Sequence, residues 1–372
     1  MASFHFSPEL LGIIASHSDI TTLKTLRLTS HTLCFFATKY LFSEVSLYTE
    51  DESCQAFESI LTHPQLSDKV YKVRLNTVEV DYDSDTEVEE LEPPPKWEKL
   101  LTKLPSLSNL ESVVLRFDKN CAKSGDWIEP AQSDEYRETI IQWLGIGLGS
   151  LRRPLKELGI QNQQNVTPIS EEVEEVLNAL KSLRLNVVHE LEPACPENEI
   201  YKEELHKFYE TILPSVWLEP TMGSLQKLSL YSSFYWGFWP KLSLDGVHFP
   251  NLQSLALGNF SFFKDEQLDW ILSHSTLEEL YLDDCPILLE ARILDNENDL
   301  SESPIPKSEL EFRKNEDRSD SWHYNYPSRW SNYFASIEAG LPHLRHFAFG
   351  HNAAWDYPGG VPLKKKRTLR QR

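Results

Sequence analysis

LEELYLDDC, residues 277–285, has leucines at its first, fourth and sixth positions and a cysteine at its ninth. Residues two apart in a strand point to the same face, so Leu280 and Leu282 predict the buried side of a short strand that Leu277 leads into. Seven further segments have the same L-x-x-L-x-L spacing, with Val, Ile or Phe as substitutes. They are VYKVRL from Val70, LESVVL from Leu110, LKELGI from Leu155, LKSLRL from Leu180, LQKLSL from Leu225, LQSLAL from Leu252 and LRHFAF from Leu344.

Helical patterns separate several of these strands. Each strand unit is too small to bury its own apolar side, and stacking on its neighbours buries it. The segment starts are 25 to 67 residues apart, which predicts an irregular leucine-rich-repeat solenoid of parallel strands with helical returns, in the α/β class. The alternative is a compact doubly wound α/β domain, whose strands are usually continuous apolar runs. The helical patterns are SDEYRETIIQWL, SEEVEEVLNAL, YKEELHKFYETILPSVW and DEQLDWILSH.

Charge is distributed unevenly along the chain. Two acidic stretches, residues 81–95 and 296–321, interrupt the array, and we expect both to be mobile, solvated insertions. The net charge is −21, and the last nine residues, KKKRTLRQR, contribute +6, so the remainder carries −27. Such a field repels nucleic acid and anionic membranes and favours basic partners.

Localisation signals are few. The chain has no run of 18 apolar residues and no signal-peptide pattern at its start, and its five cysteines are widely spaced. We therefore expect a soluble protein with reduced thiols, in the cytoplasm, the nucleus or both. The basic run Lys364, Lys365, Lys366 and Arg367 is either a nuclear import signal or a solubilising end.

The sequence has no G-x-S-x-G motif, no Walker loop, no H-E-x-x-H motif and no kinase signature. GIGLGS, residues 145–150, follows a helical pattern and fails the G-x-G-x-x-G pattern at Ser150, so we expect a glycine turn at the end of a helix. His343 and His346 point to different faces of a predicted strand, which disfavours a metal site. We expect a protein that is not an enzyme and has no metal and no cofactor.

Residues 6–30, FSPELLGIIASHSDITTLKTLRLTS, differ from the repeats. Ser7 can cap a helix whose first residue is Pro8, a second helix is predicted from Thr21 or Thr22, and a third from Ser30. The apolar residues of the first helix form a wide face on barely two turns. Such a face needs other helices to cover it.

This stretch resembles the F-box motif, which runs L-P-x-E-L-L, then apolar positions, a short loop and D-L-x-x-L-R-L-V-S. Phe6 stands at the first leucine, Ser7 at the first proline position and Thr22 at the acid. LFSEVSLY, residues 41–48, is similar to the exit of fungal F-box proteins. The resemblance implies an F-box helical domain over residues 1–48, a leucine-rich-repeat-like domain over 49–362 and a basic tail over 363–372.

The resemblance also implies a function. F-box proteins are non-catalytic substrate-recognition adaptors of Skp1–cullin–F-box ubiquitin ligases, in which the F-box docks a Skp1-type linker and, through it, a cullin-RING scaffold. The second domain would then bind a client protein. The alternative is a leucine-rich-repeat interaction scaffold without a ubiquitin-ligase role, whose helices only cap the array. The expected Skp1-binding residues are Pro8, Leu10, Leu11, Ile13, Ile14, Leu23, Leu26 and Leu28.

Client-binding residues are expected on the exposed strand positions, such as Arg184, and in the aromatic stretches SSFYWGFWP (232–240) and AAWDYPGG (353–360). Both stretches follow strand ends, where aromatic side chains can form a binding hot spot. Alternatively, the aromatics fill gaps between irregular repeats. The predicted set is Tyr231, Tyr235, Trp236, Trp239, Tyr281, Asp283 and Trp355.

Overall fold

The computed structural model describes residues 6–77, 92–119, 132–165, 171–188, 203–314 and 320–350. The helices in these ranges are α1 Pro8–Ser16, α2 Ile20–Leu26, α3 His31–Leu41, α4 Asp51–Thr62, α5 Pro64–Ser67, α6 Pro95–Leu101, α7 Asp134–Gly149, α8 Glu171–Ala179, α9 Glu203–Lys207, α10 Asp265–Leu272, α11 Glu297–Glu302 and α12 Trp330–Gly340, with a π-helix, Phe208–Leu218, after α9. The strands are β1 Glu44–Tyr48, β2 Lys72–Asn76, β3 Ser112–Arg116, β4 Glu157–Gln163, β5 Ser182–Val187, β6 Lys227–Trp236, β7 Ser254–Phe260, β8 Glu279–Asp283, β9 Glu290–Leu294, β10 Glu311–Arg313, β11 Ser321–Asn325 and β12 His346–Gly350.

A nine-stranded parallel sheet organises the chain and confirms the α/β class. Its strand order is β1-β2-β3-β4-β5-β6-β7-β8-β12, so almost every strand pairs with its neighbours in sequence. All eight predicted strands belong to it. The ninth, β1, comes from LFSEVSLY, which we had assigned to the end of the helical segment; Glu44 pairs with Lys72 of β2.

The leucine spacing explains which face of the sheet is buried. Register aligns the fourth-position residues in one row and the sixth-position residues in another, and from β1 to β8 both rows point into the main core. In β12 the corresponding residues, Phe347 and Phe349, are exposed. Leu183, Leu185, Leu280 and Leu282 are at most 1% exposed. Helices α4, α6, α7, α8 and α10 contribute apolar side chains to the same core. The opposite side of the sheet, which we call the open face, carries the residues between these leucines.

One repeat position has a special backbone. Asn162, Asn259 and Asp284 each stand seven residues after the first leucine of their segment, and each has a positive φ, of 58°, 57° and 51°. This left-handed conformation suits Asn and Asp because their short side chains bond locally. Asn162 Nδ2 donates to the carbonyl of Phe117 at 3.0 Å, and Asn259 Nδ2 donates to the carbonyl of Ser232 at 2.8 Å. These bonds join each unit to the preceding one.

The second acidic stretch is folded, which corrects the expectation that residues 296–321 form a mobile insertion. Its described part contains α11 and β10, and β10 joins β11 and β9 in a three-stranded antiparallel sheet. Ile305 and Leu310 are buried against Phe263 and Ile293. Apolar residues that are sparse in this sequence therefore form a second, small core.

The glycines of residues 145–150 lie inside α7, not in a turn after it, as we had expected. A Cβ atom at Gly147 would stand 2.2 Å from the carbonyl oxygen of Leu101, the last residue of α6. Gly147 therefore allows α7 to approach the end of α6 closely.

Several predictions fall outside the described residues: the acidic segment over residues 81–91, Trp355, and the basic run Lys364–Arg367. None of the helices within the described ranges is long and apolar enough to cross a membrane.

Candidate functional site

Side-chain caps define the starts of the three N-terminal helices. The backbone N–H of Leu10 donates to Ser7 Oγ at 3.5 Å, and that of Leu33 donates to Ser30 Oγ at 3.2 Å, as predicted. The second cap is Asp19, not Thr21 or Thr22, because the N–H of Thr22 donates to its carboxylate at 2.7 Å. This hydrogen bond lowers the pKa of Asp19.

The three helices have a small core of their own. Ala15, Leu23 and Ala37 are at most 5% exposed, and Leu26 and Phe36 pack against them. Leu23, which we had predicted to bind a Skp1-type linker, is therefore already covered by the helices themselves. Leu26 and Leu11 are half-buried. These residues hold the helices together and leave other apolar residues for a partner.

An apolar surface remains exposed on this unit. Leu10, Ile13 and Ile14 occur at helical spacing on α1 and are 49%, 55% and 44% exposed, and Leu28 after α2 is 89% exposed. Phe6, Ile20 and Phe35 are also exposed. Summed over these seven side chains, on the order of 600 Å² of apolar surface is open over residues 6–35. We call residues Phe6, Leu10, Ile13, Ile14, Ile20, Leu28 and Phe35 the N-terminal apolar surface.

The aromatic residues predicted to bind a client separate into buried and exposed ones. Trp236 is 1% exposed, so the prediction that it contacts a client is wrong. Its ring lies between Tyr209 and Phe260, with centroids 5.5 and 5.0 Å away, and its Nε1 donates to the carbonyl of Gly258 at 2.8 Å. Tyr235, the next residue, is 51% exposed. Trp239 is half-buried.

The strand residues of the predicted client site are also mostly covered. Tyr281 is 5% exposed because it packs with Ala256 on one neighbouring strand and Ala348 on the other. Asp283 is 1% exposed, which corrects its assignment to an accessible surface. Tyr231 packs at the border of this cluster and is half-buried. Of the strand residues predicted, Tyr231 retains accessible surface for a partner.

The open face carries several basic residues. Of these we had predicted only Arg184, as an exposed strand position. Lys72, Arg74, Arg116 and Arg184 lie on β2, β3 and β5. Arg74 and Arg184 share one row of the register, with Val114 and Gly159 between them. The signal was present in the sequence, because VYKVRL and LKSLRL both have Arg at the fifth position, which the spacing places on the open face.

The Cys285 thiol is buried in the main core. Burial raises the pKa of the Cys285 thiol, which donates to the carbonyl of Leu257 at 3.4 Å. His343 lies in the turn before β12 and His346 begins that strand. Within the described ranges, no group of three or more His, Cys, Asp or Glu residues is arranged to hold a metal ion.

No protein-family model matches the chain, and a search of the curated proteins found no match. The candidate site therefore depends on two features of the molecule itself: the N-terminal apolar surface and the open face of the parallel sheet.

Proposed function

We propose that this protein is a non-catalytic substrate-recognition adaptor of a Skp1–cullin–F-box ubiquitin ligase. In this proposal the three N-terminal helices are an F-box that docks a Skp1-type linker, and the parallel sheet is an irregular leucine-rich-repeat solenoid that binds a client. The observation that carries the proposal is the N-terminal apolar surface. An apolar helical face that remains open after a unit has formed its own core is what docking on another protein requires.

The solenoid part of the proposal is supported by the repeating bonds between units. Asn162 and Asn259 hold the same position in their segments and bond the same position of the preceding unit. Cys285, one position later in its segment, bonds Leu257 of the preceding unit. Such one-to-next contacts are characteristic of stacked repeats.

One observation favours the alternative, an interaction scaffold whose helices only cap the array. Phe42, which follows α3, packs against the main core, and the Arg27 guanidinium lies 5.1 Å from the centroid of its ring. The three helices are thus attached directly to the β1 end of the sheet, as a cap would be. A cap, however, gains nothing from exposing Leu10, Ile13 and Ile14.

A binding experiment with a purified Skp1-type linker separates the two functions. The test variant is Leu10→Asp with Ile14→Asp, at positions that are 49% and 44% exposed. The exposed parts of these two side chains amount to about one whole residue, whose burial contributes about 1.5–3 kcal/mol. Placing two carboxylates in an apolar contact adds a further penalty, so we expect binding to weaken at least about 100-fold.

A matched control keeps this result interpretable. Gln142→Asp with Asn178→Asp adds the same two charges at exposed positions of α7 and α8. We expect the control to bind the linker as the unaltered protein does, and both variants to keep the far-UV circular dichroism of the unaltered protein. Failure of the unaltered protein to bind, or equal binding by the test variant, would refute the adaptor function and favour the scaffold.

A further inference from the structure

The last strand of the large sheet carries exposed aromatic side chains. Phe347 and Phe349 stand at the fourth and sixth positions of their segment, which from β1 to β8 hold buried residues. In β12 these two rings are 38% and 44% exposed. Strand β12 lies at the end of the strand order and, among the described residues, pairs with β8 alone, so no further unit in that part of the chain covers the two rings.

Helix α12 adds two rings to this end of the array. The centroid of the Trp330 ring lies 4.4 Å from that of Phe349, and the Phe334 centroid lies 5.8 and 5.5 Å from those of Phe347 and Phe349. Phe334 is itself 38% exposed, and at roughly 200 Å² per ring the exposed parts of the three phenylalanines amount to about 240 Å². Stacked repeats usually end in a unit with a polar outer face, whereas this end presents aromatic rings. We call Trp330, Phe334, Phe347 and Phe349 the terminal aromatic cluster.

The backbone of β12 also has groups that face away from the sheet. Alternate residues of a strand in a parallel sheet direct their N–H and C=O groups to opposite sides. The N–H of His346 donates to the carbonyl of Glu278 at 3.0 Å, and the carbonyl of Gly350 accepts from the N–H of Asp284 at 2.6 Å. Residues 346, 348 and 350 therefore face β8, and the N–H and C=O groups of Phe347 and Phe349 point to the open edge. Such groups are a template for a further strand.

The open edge of β12 is complementary to itself. When two copies of the strand run antiparallel about a two-fold axis at Ala348, Phe347 of each copy lies opposite Phe349 of the other. Both are hydrogen-bonded pairs, because the groups of these residues face the edge, so four N–H···O=C bonds form. Phe347 and Phe349 point to the same face of the strand, so the terminal aromatic clusters of the two copies would meet in one layer.

The same edge is poor in charge. Two copies of a protein with a net charge of −21 repel each other, so the local charge at a contact matters. Residues 341–350, LPHLRHFAFG, contain no carboxylate. Their one arginine, Arg345, lies 3.3 Å from Glu278, measured from Nη1 to Oε2. Antiparallel pairing of this strand with itself therefore sets no acidic residue opposite another.

We propose that β12 pairs with the same strand of a second copy, so that two molecules form a symmetric dimer with one continuous sheet. The interface is isologous, since the same edge serves in both copies, and the match of Phe347 with Phe349 is a property of β12 itself. Two copies offer about 480 Å² of exposed phenylalanine surface. With the strand backbones, the contact lies at the low end of specific interfaces, below about 1,200 Å², so we expect a reversible dimer with a dissociation constant on the order of 10 μM.

The dimer does not depend on the proposed adaptor function. Strand β1 lies eight strand spacings from β12, about 38 Å, and the three N-terminal helices are attached at the β1 end. The N-terminal apolar surface of each copy therefore stays outside the contact, and the dimer would present two such surfaces at its far ends.

Sedimentation velocity of the full-length protein, from about 1 to about 100 μM, tests the proposal. We expect the average mass to rise from that of one chain towards that of two. Phe347→Asp with Phe349→Asp, the β12 aspartate variant, sets carboxylate against carboxylate in both pairs. Its association should weaken at least about 100-fold, which leaves a monomer. The proposal would be overturned by an unaltered protein that stays monomeric at the highest concentration, by equal association of the variant, or by a mass that rises beyond two chains.

A variant of opposite charge tests the register of the pairing. Phe347→Lys with Phe349→Lys should also be monomeric by itself. Mixed with the β12 aspartate variant, it should form a complex of two chains, because each introduced ammonium group then lies opposite an introduced carboxylate. The mixed complex would also show that both variants keep the fold at this edge. Its absence would refute the antiparallel pairing.

Two double variants from the linker experiment serve as controls. Gln142→Asp with Asn178→Asp adds the same two charges elsewhere and should associate as the unaltered protein does. Leu10→Asp with Ile14→Asp should also still form the dimer, and loss of association in that variant would assign it to the N-terminal apolar surface and overturn the proposal. Linker binding by the β12 aspartate variant should equal that of the unaltered protein, so failure of the dimer is distinguishable from failure of the adaptor function.

Discussion

Trp236→Ala is the perturbation whose cost is best defined by the structure. The indole is 1% exposed and lies against Tyr209 and Phe260, so its removal leaves a large cavity in the main core. Truncating a buried Phe or Trp to Ala costs about 3–5 kcal/mol. The carbonyl of Gly258 also loses its donor, which adds about 1 kcal/mol. We therefore expect a loss of about 4–6 kcal/mol in the free energy of unfolding.

Urea unfolding measures this loss. With a urea dependence of about 3 kcal/mol per molar, the midpoint should fall by about 1.5 M. Far-UV circular dichroism is the appropriate signal, because removing a tryptophan changes the fluorescence directly. Tyr235→Ala is the matched control: that side chain is 51% exposed, and its hydroxyl donates to Asp284 at a long 3.4 Å. We expect the control to cost less than about 1 kcal/mol.

Trp236→Phe is a milder substitution that tests the same side chain if Trp236→Ala does not fold. It keeps most of the ring packing, loses the hydrogen bond to Gly258, and should cost about 1–3 kcal/mol. An unchanged midpoint for Trp236→Ala, or an equal loss for Tyr235→Ala, would show that the indole is not a core side chain and would refute this argument.

Two further predictions concern the helical layer. Burial lowers the pKa of His274 to about 4, while its ring accepts the N–H of Phe249 and donates to the carbonyl of Trp270. Because the unfolded state binds a proton near the ordinary pKa of 6.5, stability is complete above that pH and declines as pH falls towards 4. The loss is about 2 kcal/mol at pH 5. Urea midpoints at pH 7 and 5 should therefore differ less in His274→Gln, and identical pH dependence would contradict the assignment. Gly147→Ala should lower the free energy of unfolding by about 1–3 kcal/mol, because its Cβ would meet the Leu101 carbonyl at 2.2 Å. The control Gly149→Ala, whose Cβ has its nearest neighbour at 3.5 Å, should be neutral or slightly stabilising. The same urea midpoint for both variants would refute the close approach of α6 and α7.

The strands of the large sheet could be predicted from the sequence because paired leucines two residues apart specify a strand with one buried face. The same spacing exists in FSEVSL, where Phe42, Val45 and Leu47 match the pattern. We nevertheless assigned this segment to the helical unit, because the preceding residues resemble an F-box. Phe42 in fact packs against the main core, to which the first residues of the predicted strand segments from Val70 to Leu277 also belong.

The burial of individual side chains was less predictable. Trp236 and Tyr235 are adjacent aromatics, and their opposite exposure depends on which one faces Tyr209 from the neighbouring π-helix, a contact distant in sequence. Composition was misleading for residues 296–321, because the many charges concealed Ile305 and Leu310, two residues sufficient to anchor a small sheet on Phe263. The alignment of Arg74 with Arg184 depends on the strand register, which brings residues 110 positions apart into one row.

The sequential strand order has a consequence for synthesis of the chain. Each strand from β2 to β8 pairs with the strand made just before it, so a chain that leaves the ribosome N-terminus first can extend the sheet as it emerges. The exception is β12, because residues 284–345 must be translated before it can join β8. At the usual elongation rate this delay is about 3–12 s, during which the hydrogen-bonding edge of β8 is open. We expect that interval to be the period in which a nascent chain is most exposed to mispairing with a second copy.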